Sequence, residues 1–128
     1  DNNGDGFADI GVTHGTMVAG IIGGMTDNIN PDTGQFEGMA GACWHCTLMP
    51  VRLINAEGWA FGSDAAAAIY YAVNNGARVS NNSYGLPATD LTAAEQAAGY
   101  DVLQFAAAKD HIFVAAAHNQ APGSRHFD

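Results

Sequence analysis

The chain has 128 residues, one domain's worth at most. Four Lys+Arg against 13 Asp+Glu give a formal net charge of −9, which argues against nucleic acid and anionic membrane surfaces as partners. A charged fraction of 13% beside 48% hydrophobic residues marks a folded, Ala- and Gly-rich sequence and not a disordered acidic tail.

No apolar run approaches the ~18 residues of a membrane span. The opening Asp1-Asn2-Asn3-Gly4-Asp5-Gly6 carries neither a signal peptide nor an initiator Met, so a processed or truncated piece is expected. Two cysteines allow one disulfide and say little about redox compartment.

Residues 1–13 read as a Gly/Asp/Asn loop. Thr13 is placed to cap a helix that begins near His14. Val18, Ile21, Ile22 and Met25 give it an apolar face, and Gly23-Gly24 ends it. Residues 26–46 read as loop, with a turn at Pro31-Asp32-Thr33-Gly34. Residues 47–54, Thr-Leu-Met-Pro-Val-Arg-Leu-Ile, suit a buried strand weakened by Pro50.

Ser63 reads as the N-cap of a second helix through Ala65–Val73, stopped by Asn75-Gly76. A strand over 78–82 follows. Thr92 with Glu95 forms a capping box for a third helix, whose positions Ala94, Ala98, Val102 and Phe105 share a face. A last strand runs over 112–117. The order α-β-α-β-α-β implies a parallel sheet flanked by helices, and three strands are few enough that strands are expected to be missing at the ends.

The strongest chemical signal is Thr13-His14-Gly15-Thr16-Met17-Val18-Ala19-Gly20. An imidazole followed at once by small residues is open to close approach and suited to proton transfer near neutral pH. The stretch from His14 to Gly20 resembles the catalytic-histidine motif H-G-T-H-V-A-G of subtilisin-like serine proteases. Met49-Pro50-Val51-Arg52-Leu53 looks like the strand after that family's histidine helix. Ala68 through Ser83-Tyr84-Gly85 looks like its next helix, strand and S-x-G segment. Val114-Ala115-Ala116-Ala117-His118-Asn119 resembles its A-A-G-N motif. Four motifs in one order cover the chain from His14 to Asn119.

The resemblance implies a subtilisin-like three-layer sandwich, incomplete at both ends, with 1–128 a partial catalytic domain. It implies His14 as general base toward a serine nucleophile and Asn119 as oxyanion donor. Gly58-Trp59-Ala60 and Ser83-Tyr84-Gly85 would flank a polypeptide substrate bound in extended form by main-chain hydrogen bonds. Ala116 would contact substrate, and His118 would line the pocket for the residue before the scissile bond. The family has Gly where this chain has His118, so primary specificity or activity is expected to differ.

Two triad members of the family pattern are missing. Asp1, Asp5 and Asp9 lie too close to His14, and no G-T-S-x-A sequence occurs around Ser63, Ser80, Ser83 or Ser124. By that resemblance the chain reads as the central part of a secreted, monomeric endopeptidase, inactive by itself. The alternatives are a catalytically dead homologue, or a calcium-binding or interaction module that keeps the fold. A different serine hydrolase using Ser83 fits poorly, because Asn81 replaces the first Gly of G-x-S-x-G and Pro87 interrupts the following helix.

The chemistry requires no cofactor. Asp1, Asn3, Asp5 and Asp9 place oxygens as at the start of an EF-hand-type loop, so calcium is a possible structural ion, although Val12 stands where the bidentate Glu belongs. Cys43-Trp44-His45-Cys46 reads as a local disulfide or two free thiols, since zinc would need further ligands. His111 and His126 read as surface residues.

Overall fold

The computed structural model describes residues 10–55, 60–86 and 90–117, with only the backbone described over 10–13. It divides into two units, Asp1–Phe61 and Gly62–Asp128.

In the first unit α1 spans Ile10–Gly23. The expected cap at Thr13 is thus corrected, because Thr13 lies inside the helix. Propagating a formed helix by one turn costs far less than nucleating it, so the helix extends back across Ile10-Gly11-Val12. The end at Gly23-Gly24 is as expected. Residues 41–43 dock there and satisfy carbonyls that the helix leaves open. The Gly41 N–H donates to Gly24 O at 2.9 Å, Ala42 N–H to Ile21 O at 2.9 Å, and Cys43 N–H to Ile22 O at 2.8 Å. Such an approach requires glycine. A Cβ on Gly41 would lie 2.7 Å from the Gly23 Cα.

The expected turn at 31–34 is the tip of a small hairpin, closed by an antiparallel bridge between Ile29 and Phe36. The Asn30 Oδ1 accepts from the Asp32 and Thr33 N–H groups at 2.8 and 3.1 Å, a local Asx turn. Gly34 takes φ 66°, open to glycine at little steric cost. Cys43 and Cys46 form a disulfide, one of the two states the sequence allowed.

The strand expected over 47–54 is not formed; the segment runs without a ladder. Pro50 has no N–H to give to one, and the two paired strands among the described residues both belong to the second unit.

In the second unit the order is α2 (Gly62–Asn74), β1 (Val79–Asn82), α3 (Ala93–Ala107), β2 (Ile112–Ala115). Helix α2 includes Ser63 in its first turn and not as its cap, a shift of two residues. It ends in a Schellman motif: Gly76, at φ 87°, donates its N–H to Val73 O, and Ala77 to Ala72 O. Helix α3 has the expected capping box. The Thr92 side chain accepts from Glu95 N–H, and the Glu95 carboxylate accepts from Thr92 N–H at 2.8 Å.

Strands β1 and β2 pair in parallel, with Val79 opposite Ile112 and Asn82 opposite Ala115. Ile69 and Val73 of α2 and Val102 and Ala106 of α3 form the buried cluster, with Phe105 and Phe113 packed on it. Tyr70 meets Phe105 edge to face, with ring centroids 4.6 Å apart. This is the expected α/β arrangement in incomplete form. Val79, Ile112 and Val114 on the other sheet face remain 55%, 60% and 44% exposed.

Candidate active site

Parallel α/β sheets present their ligand sites outside the carboxyl ends of the strands. Here those ends carry two of the stretches that the sequence marks for substrate. Ser83-Tyr84-Gly85 follow β1 directly, and Ala116 follows β2 directly. The register sets them side by side: the Ala116 N–H donates to Asn82 O at 3.2 Å, carrying the ladder one residue past β2.

Two side-chain clamps hold the chain as it leaves β1. On one face the Tyr84 hydroxyl donates to Asn82 Oδ1 at 2.9 Å. On the other the Asn81 Nδ2 donates to Ser83 Oγ at 2.7 Å. Alternation along a strand puts i and i+2 on one face, so both clamps reinforce an extended backbone. Burial pushes the Tyr84 phenol above its ordinary value, so it remains a donor throughout the neutral range.

The other expected site residues fall as follows. His14 lies in the second turn of α1, exposed, rather than at the start of a helix. Ala60 is exposed in the first unit. Gly58, Trp59, His118 and Asn119 lie outside the described residues, as do Asp1, Asn3, Asp5, Asp9 and His126. Among the described residues no group of three or more His, Cys, Asp or Glu side chains is placed to hold a metal ion. The disulfide leaves Cys43 and Cys46 without the thiolates that zinc would need.

One residue corrects the sequence reading outright. His111, expected at the surface, is only 7% exposed. The turn after α3 places it there. Asp110 adopts φ 53°, and the His111 N–H returns to Ala106 O at 3.0 Å. Asp is among the few side chains that tolerate this left-handed conformation. Both ring nitrogens are partnered: Nδ1 lies 2.8 Å from Ala77 O and Nε2 2.9 Å from Ser80 Oγ. A buried ring with both nitrogens satisfied is stable where a lone one would be costly. No local spacing signals this, since its partners are 34 and 31 residues away.

The profile of the subtilase family, peptidase S8, matches residues 2–127. Halolysin of Haloferax mediterranei is 40% identical over 87 residues, which cover 66% of this chain and 15% of halolysin. A thermophilic serine proteinase of a Bacillus species, strain AK1, is 37% identical over 106 residues, covering 83% of this chain and 23% of that protein. The chain thus matches only a minor part of the length of either relative. No solved structure matches significantly.

Proposed function

The chain belongs to the subtilase family, and from that membership we propose that it forms the central part of the catalytic domain of a secreted, monomeric serine endopeptidase. Its substrate is a polypeptide lying in extended form along Ser83-Tyr84-Gly85 and Gly58-Trp59-Ala60, with Ala116 in contact with it and His118 at the pocket for the residue before the scissile bond. His14 takes the proton of a serine nucleophile and returns it to the leaving amine. Asn119 donates to the oxyanion of the tetrahedral intermediate. The Asp and Ser of the triad lie in sequence beyond residues 1–128. No cofactor enters the chemistry, and calcium at Asp1, Asn3, Asp5 and Asp9 would serve structure only.

The observation that carries this reading is the parallel register, which sets Ser83-Tyr84-Gly85 beside Ala116 at the carboxyl ends of β1 and β2. Exposed main chain at such an edge can pair with an extended peptide without reading its side chains. The test is hydrolysis of a denatured protein substrate by the product of the full coding sequence that contains these residues. His14→Ala is expected to lower kcat by about 10⁶-fold, the loss general to this family when the base is removed. Undiminished hydrolysis by that variant would sink the mechanism.

A further inference from the structure

The buried imidazole of His111 belongs to a hydrogen-bonded chain that ends at the proposed substrate edge. With the imidazole neutral, its direction is fixed by chemistry. Ala77 O can only accept, so the His111 Nδ1 carries the proton and donates at 2.8 Å. In the neutral ring the Nε2 is then an acceptor, and the Ser80 hydroxyl donates to it at 2.9 Å. The Ser80 Oγ in turn accepts from the Asn82 Nδ2 at 3.0 Å. That amide nitrogen also faces Ser80 O and Val114 O, each at 3.3 Å, which fixes the Asn82 orientation. The Asn82 Oδ1 is left to accept from the Tyr84 hydroxyl at 2.9 Å.

Every donor therefore points the same way, from Tyr84 through Asn82 and Ser80 to His111 and Ala77. Asn82 is 4% exposed and His111 7%, so water competes little with these bonds. Chains of aligned hydrogen bonds at low local dielectric polarise one another and strengthen. Four links tie the turn after α2, strand β1, the residue before β2 and the second residue after β1.

We infer that His111 is a positioning residue, which acts through Ser80 and Asn82 to hold Tyr84 and thereby the Ser83-Tyr84-Gly85 backbone in the extended form that pairs with a peptide. This rests on the protease reading above. It adds the group that sets the edge's geometry from the far end of β1. His111 itself touches no substrate.

The test measures binding apart from chemistry. The full coding sequence is produced with His14→Ala, and the Kd of a fluorescent, extended tetrapeptide amide of small and apolar residues is measured. Ser80→Ala cuts the chain at its centre and is expected to weaken binding about tenfold, the loss of one to two net hydrogen bonds' worth of order. Ser80→Thr keeps the hydroxyl on a strand-favouring side chain and is expected to restore binding. Tyr84→Phe, which cuts only the outer link and keeps the ring, serves if Ser80→Ala does not fold. The ¹⁵N shift of the His111 Nε2 is expected to move in Tyr84→Phe, a change transmitted through three hydrogen bonds. Peptide binding insensitive to both cuts, or an unmoved ¹⁵N shift, overturns the inference while leaving the protease reading intact. No peptide binding with the chain of bonds unbroken overturns the reading and the inference together.

Discussion

The two units hold themselves together by different means. In Asp1–Phe61 the order comes from the main chain and one crosslink: N–H groups of 41–43 on the end of α1, a hairpin tip and the Cys43–Cys46 disulfide. Among its described residues only Gly41 is buried. In Gly62–Asp128 the order comes from side chains: Ile69, Val73, Val102 and Ala106 pack between helices, and β1 and β2 share a polar network. The segment that carries the proposed general base His14 is thus shaped by local backbone bonding, while the proposed substrate edge rests on a packed core.

That contrast sets the order of the expected damage. Ile69→Ala removes a buried side chain from the cluster and is expected to destabilise the second unit by about 2–5 kcal/mol. Chemical denaturation of the chain checks it, and a loss under about 1 kcal/mol would mean that the cluster is not the core. Gly41→Ala should do comparable harm by a different route. Its Cβ meets main chain that no rotamer can clear, with an expected cost of about 2–3 kcal/mol. Amide exchange is the measure: protection is expected to fall at Ala42 and Cys43 while the Ala106–His111 region keeps its own. Equal loss in both would erase the distinction between the units.

The disulfide comes next. It closes a short loop, with a sequence separation of 3, so its entropic contribution is about 2 kcal/mol. The double variant Cys43→Ser with Cys46→Ser is expected to lower the melting temperature of the first unit, and a mild reductant should have no effect on that variant. The smallest effect is electrostatic. Hydrogen bonds from the Thr92 hydroxyl and N–H hold the Glu95 carboxyl below its ordinary value. A lowered folded value means the stabilisation is present above the unfolded value of about 4.3 and lost as pH falls through the folded one. Helical circular dichroism is expected to decline on that side of the titration, and Glu95→Gln should flatten the decline.

The sequence is most legible where signals are local. Thr92 with Glu95, and Asn75 with Gly76, each sit within one turn of the bonds they make, so capping chemistry names them directly. The four family motifs order the stretches proposed to bind substrate, and the parallel register then puts two of them together. What stayed hidden depends on distant or absent partners. The apolar run at 47–54 has strand composition, yet a strand is made by its neighbours, and Pro50 withholds a donor. Thr13 has cap chemistry, but the turn before it was free to join the helix. His111 resembles any polar residue after a helix until Ala77 and Ser80 are brought to it.

The length of those connections sets a folding order. Helices α2 and α3 can form within about a microsecond from neighbouring residues. The bonds of His111 to Ala77 and Ser80, and of Asn82 to Val114, span 34, 31 and 32 residues and must wait for the crossover through α3 to close. The network is therefore a late event in folding and an early loss in unfolding. The ring resonances of His111 would mark arrival at the native state.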